Sequence, residues 1–174
     1  MPVEERLCKS AVSNKLDSAT VEQWGGIEAV NCYAYAANCK KPGSGKPDPG
    51  KRSGVAVKIG DKYDPNLLKN GATQDGMMLM GGSQVDPPSP PNGYYLVALY
   101  ISEDLGDYHW YRKDEKYGRW THKPGPQDIC NWDGSMQVMP TELILGSHKY
   151  SKTPRTNYQF VAFLAVPQAG IAVG

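Results

Sequence analysis

The sequence predicts an α+β fold. Helical signals gather in the first forty residues, strand signals dominate from residue 94 onward, and Gly and Pro, 19 and 14 of 174 residues, break the chain between them into turns and long loops. With 40% apolar residues the length suits one domain with its own core, so residues 1–174 are read as a single domain. Charges nearly cancel, 19 basic against 18 acidic, with no run of five or six like charges. Neither nucleic acid nor a membrane surface is therefore expected as a partner. No stretch approaches the roughly 18 to 20 apolar residues of a membrane span. The opening residues MPVEERLCKS carry acids and no apolar run, so no Sec-type leader is expected; the protein would act in the cytoplasm or leave by another route.

Taken in order, residues 1–30 read as one or two short helices, with Ser18 or Thr20 as N-caps ahead of Val21-Glu22-Gln23-Trp24. Asn31 caps a second helix, rich in Ala, that must end before Pro42-Gly43, and Cys32 falls in its first turn. Residues 40–54 hold too much Gly, Pro and Lys for a regular element and read as a surface loop, a solvated connector with substrate contact as the alternative. Residues 67–80 form a mixed stretch whose Met77-Met78-Leu79-Met80 run suggests core filling or a groove wall. Residues 86–91, DPPSPP, make a stiff connector. Residues 94–101 form a buried strand, 107–113 and 118–123 two strands of a hairpin, and 158–166 a late strand.

A hairpin centred between Glu115 and Lys116 sets His109 opposite His122 and Tyr111 opposite Trp120 on one face. Trp110, Arg112, Arg119 and Thr121 take the other face. Two of the three histidines thus meet, while His148 sits in a polar stretch and reads as surface. Among the four cysteines, Cys32 is singled out because amides and partial positive charge at a helix start favour the thiolate. Cys8, Cys39 and Cys130 read as packed or bystander thiols.

Asn31-Cys32-Tyr33-Ala34-Tyr35-Ala36, followed by a buried strand and by His109 and His122 across a hairpin, resembles the papain-like NlpC/P60 hydrolases and their CHAP relatives. The stretches Asp107-Tyr108-His109-Trp110-Tyr111-Arg112 and Trp120-Thr121-His122-Lys123-Pro124-Gly125 are similar to a bacterial group with a DYHFYR…WSHKPG pattern. The resemblance spans about residues 31–125. It implies a papain-like fold in which the cysteine-bearing helix packs on an antiparallel sheet, with Cys32 as nucleophile, His109 as base and His122 as its orienter.

Asp133, Asn131 or Asp107 are alternative orienters, and the Cys32 amide, joined by Gln23, would hold the oxyanion. The reaction is amide hydrolysis through a thioacyl intermediate, without metal or cofactor. The resemblance further implies peptide or peptidoglycan substrates, delivery by a dedicated secretion system or by lysis, and an immunity partner. Two other readings stay open. One is a non-catalytic peptide- or glycan-binding module using Tyr111 and Trp120. The other is a zinc protein using Cys32, Cys39, His109 and His122, which the seven-residue cysteine spacing disfavours.

Overall fold

The computed structural model describes residue 24 and residues 30–43, 45–114, 119–125, 129 and 158–174. Predicted helices before residue 30 lie outside these residues, apart from Trp24, which is helical and buried. The architecture is mixed helix and antiparallel sheet, in keeping with the α+β expectation. The chain runs through α1 (Cys32–Ala36), β1 (Lys58–Ile59), β2 (Lys62–Tyr63), α2 (Pro65–Asp75), β3 (Met78–Leu79), β4 (Tyr94–Ser102), β5 (Tyr108–Asp114), β6 (Arg119–Thr121) and β7 (Tyr158–Pro167). Strands β1 and β2 form a small hairpin, and the other five form one sheet in the order β3-β7-β4-β5-β6. Among the described residues no helix is long and apolar enough to cross a membrane.

Helix α1 is short because both ends are specified locally. Asn31 is extended and its Oδ1 accepts from the Ala34 amide at 3.0 Å. At the other end Asn38 enters the left-handed region at φ 55. The Asn38 and Cys39 amides then return to the carbonyls of Tyr35 and Ala34, at 3.1 and 2.9 Å, closing a Schellman motif. Every residue of α1 is buried. Two further carbonyls find partners from the sheet and its tail: Tyr95 donates its hydroxyl to Ala36 at 2.6 Å, and the Ile171 amide donates to Ala37 at 2.9 Å.

The stretch read as mixed contains a regular helix instead. In α2 the Asp64 carboxylate caps the Asn66 and Leu67 amides, Pro65 opens the helix, and Gly76 closes it at φ 114. Asn70-Gly71 in its interior are poor helix formers, which hides the element from periodicity. Gly71 is there for contact: a Cβ on it would collide with the carbonyl of Pro49. Beyond α2, Met77 fills the core, whereas Met78 and Leu79 on edge strand β3 are exposed.

The sheet separates two clusters. On the α1 side, Tyr95, Val97, Leu99 and Ile101 of β4 and Tyr108 and Trp110 of β5 pack with the helix. On the other side, Leu96, Ala98, Tyr100, Tyr111, Trp120 and Phe163 pack together. A bulge between β4 and β7 leaves Val161 as an extra residue, so Phe160 and Phe163 both reach this second face.

The predicted hairpin register needs correction. Arg112 faces Thr121 and Lys113 faces Trp120, a displacement of two residues that brings Tyr111, not His109, level with His122. An even displacement preserves the faces, so His109 and His122 still share one side.

Gly71→Ala tests the helix–loop contact. In an exposed helical position this change stabilises, but here the collision should destabilise by about 1 kcal/mol or more in urea denaturation. Asn70→Ala, at the exposed neighbouring position, should instead be neutral or slightly stabilising.

Candidate active site

Cys32 is the first residue of α1 and is 7% exposed. Its sulfur lies against the edge of β5. The Ser102 amide donates to the Asp107 carbonyl at 2.9 Å, so Asp107 and, two residues on, His109 turn their backbone polar groups toward β4. Trp110 turns its own the opposite way, and β6 ends at Thr121, opposite Arg112, before reaching it. In that gap the Trp110 amide is directed at the Cys32 sulfur, as is the amide of Tyr33.

Cys32 was expected to carry a lowered pKa, and the structure reverses that expectation. Burial pushes the thiol up to about 12. The Trp110 amide acts against this, the nearby Asp107 charge adds to it, and Lys46 and the Tyr33 amide work to lower it, without offsetting the loss of water. A helix of five residues supplies little of the macrodipole that the sequence reading relied on.

Most of residues 40–54, read as a solvated connector, are exposed as expected, but Pro47, Pro49 and Gly50 are buried beside the start of α1. Asn31 Nδ2 donates to the Pro47 carbonyl at 2.8 Å, and the Tyr108 hydroxyl donates to Asp48 Oδ1. Asp75 accepts from both the Gly50 amide, at 2.8 Å, and the Tyr33 hydroxyl, at 2.6 Å. One carboxylate on α2 thereby fixes the segment and the residue after the cysteine together. Burial, together with the Asp48 carboxylate that accepts its hydroxyl, keeps the Tyr108 phenol protonated, with its pKa raised well above the ordinary value.

His109 and His122 come together as expected, though diagonally. Nε2 of His109 lies 2.9 Å from Nδ1 of His122, with the rings 5.0 Å apart and at 80°. The two residues are 5% and 0% exposed. Tyr158 packs near His109 and donates its hydroxyl to Asp107 Oδ2 at 2.7 Å.

The pair does not meet Cys32 in the expected way. Alternation sends Tyr108 and Trp110 to the α1 face and His109 and Tyr111 to the other. The Cys32 thiol is met by the amides of Trp110 and Tyr33. Thiol and imidazoles approach the β5 edge from opposite faces.

Tyr111 and Trp120, read as substrate-binding, are also corrected. Both are fully buried in the second cluster, against Tyr100 and Phe163 respectively, and present no surface to a ligand. Gln23, Asn131, Asp133, His148, Cys8 and Cys130 lie outside the described residues. Among the described residues no group of three or more His, Cys, Asp or Glu side chains is placed to hold a metal ion. The zinc reading therefore has no site there: Cys32 opens the short helix and Cys39 lies past its other end.

Residues that sequence reasoning missed are Lys46, Asp48, Tyr63 and Tyr108. Only Tyr108 had a sequence signal, since alternation from His109 places it on the helix face. In comparisons with known proteins, no family model, no curated protein and no solved structure matches the chain.

The raised thiol gives a direct test. With a pKa near 12, the thiolate fraction of Cys32 at pH 7.5 is on the order of one in thirty thousand. Alkylation by iodoacetamide, mapped by mass spectrometry, should be far slower at Cys32 than at Cys39, rising about tenfold per pH unit up to pH 11. The unfolded thiol, near 8.5, loses its proton first. Native stability contributed by this group is therefore present below about pH 8.5 and declines as pH rises toward 12.

Proposed function

We propose that the chain is a cysteine hydrolase that cleaves an amide bond, with Cys32 as nucleophile and the His109–His122 pair as base and orienter, at rest in a protonated and closed form. The observation that carries this reading is the meeting at the β5 edge. The sulfur of a helix-start cysteine rests on the amide of Trp110, the residue directly after His109, where β6 stops. A papain-like arrangement of cysteine helix and antiparallel sheet belongs to the same proposal.

In this mechanism Nε2 of His109 is engaged by His122, so proton exchange with the thiol runs through Nδ1. The amides of Tyr33 and Trp110 already favour sulfur as an anion, and what opposes ionisation is burial. Ionisation is therefore coupled to substrate entry, which must draw thiol and imidazole together around the strand edge. The thiolate attacks the amide carbonyl and His109 protonates the leaving amine. Water, activated by His109, then hydrolyses the thioester and releases the acid. Bacterial wall peptides are the first substrates to test, on the strength of the sequence resemblance. Delivery by a dedicated secretion system or by lysis, and neutralisation by an immunity partner, are corollaries of that substrate.

A second reading, a non-catalytic module with Cys32 as a packed thiol, is favoured by the burial and neutrality of the sulfur. Its binding surface would have to lie elsewhere than at Tyr111 and Trp120. Purified peptidoglycan and an unstructured protein, each incubated with wild type, Cys32→Ala and His122→Ala, separate the two. Hydrolysis by wild type should vanish in Cys32→Ala and fall by roughly 10²-fold or more in His122→Ala. Cleavage that survives Cys32→Ala sinks the mechanism. Inertness toward both substrates, together with a thiol that resists alkylation up to pH 11, establishes the packed-thiol reading.

A further inference from the structure

Lys46 and Tyr108 lie near Cys32, with Asp48 and Tyr63 against Tyr108, and the mechanism above uses none of the four. Tyr63 and Tyr108 are 5% and 2% exposed, and their rings meet edge to face, 4.8 Å apart at 87°. Both walls are set by contacts that do not involve Lys46. The Tyr108 hydroxyl is tied to Asp48, the Tyr63 amide donates to Leu105 at 2.8 Å, and the Asp48 amide donates to Gly174 at 3.2 Å.

Into this corner reaches the ammonium of Lys46. Nζ is 5.2 Å from the Tyr108 ring centre and 5.6 Å from that of Tyr63, 3.3 Å from the Tyr63 hydroxyl and 3.9 Å from Asp48 Oδ1. The side chain is 53% exposed and all these contacts are long, so they hold it weakly. The backbone after it is fixed by Asn31 at Pro47 and by Asp75 at Gly50, and before it the Gly43 amide donates to Val173 at 3.0 Å. The flexible stem, not the segment, is free to leave. A second cation, Lys58, stands 4.4 Å over the Tyr63 ring, which shows the same pull on ammonium groups.

We propose that the corner of Tyr63, Tyr108 and Asp48 is a subsite for a primary alkylammonium, such as a lysine-like side chain of the substrate, and that Lys46 fills it as an internal stand-in. Two aromatic walls and a carboxylate are the chemistry that recognises such a cation, whereas an anion would meet Asp48 and be repelled. The assignment as a substrate subsite rests on the hydrolase reading, because it is the neighbouring Cys32 that would cut. A substrate amine entering the corner displaces Lys46 and brings its own chain to the strand edge.

The test measures binding, not turnover, so it succeeds or fails apart from the hydrolase reading. n-Butylammonium chloride is titrated into the full chain carrying Cys32→Ala and Lys46→Ala, with the ring resonances of Tyr63 and Tyr108 followed by NMR and 1-butanol as the neutral control. Saturable shifts are expected with the amine and not with the alcohol. Affinity should be roughly fivefold weaker when Lys46 is present and competing, and binding should be lost on adding Asp48→Asn. Shifts that do not saturate, that the alcohol reproduces, or that are equally strong with Lys46 in place overturn the proposal. Lys58→Met keeps the corner intact, and binding that depends on Lys58 instead of Asp48 would also overturn it.

Discussion

Backbone alternation along β5 divides the chemistry of this protein between the two sides of one sheet. Because successive side chains must point apart, burying Tyr108 and Trp110 against α1 obliges His109 and Tyr111 to face away. Everything near Cys32 follows from that constraint. Trp110 packs on Tyr33 with ring centres 5.3 Å apart, and Tyr108 reaches Asp48. The imidazole pair forms its own buried contact on the far side. The strand edge past the end of β6 is the place where groups from both sides can converge.

At that edge the sulfur is subject to opposing demands. Two amides aimed at it and a lysine nearby suit a thiolate, while exclusion of water suits a thiol, and the second effect dominates in the resting protein. The balance is sensitive to how segment 46–50 is held, since that segment supplies Lys46 and Asp48. Asp75, remote in sequence, governs it by bonding Gly50 and Tyr33 at once. Charged acceptors of this kind contribute about 1.5–3 kcal/mol per hydrogen bond, which holds the segment and Tyr33 together.

What the sequence revealed was whatever is encoded locally. Asn31 as a cap, Cys32 in the first turn and the strand near residue 94 were legible because capping and apolar runs are short-range signals. The hairpin register was missed by two residues for want of a turn motif. The shared face of His109 and His122 survived only because side chains alternate with a period of two. Helix α2 escaped notice although Asp64, Pro65 and Gly76 mark its ends, because Gly71 inside it answers to Pro49, a partner no local pattern reveals. Phe160 and Phe163 would be assigned to opposite faces by simple alternation, and the extra residue Val161 puts them on the same one. The raised thiol pKa was illegible for the same reason: desolvation is produced by residues distant in sequence.

The contact between Gly71 and Pro49 joins main chain to main chain, with no side chain to act as a cushion. Such a joint has almost no slack. A roll or slide of α2 would push directly on Pro49 and Gly50. The position of segment 46–50 is thereby tied to the position of a helix distant from it in sequence.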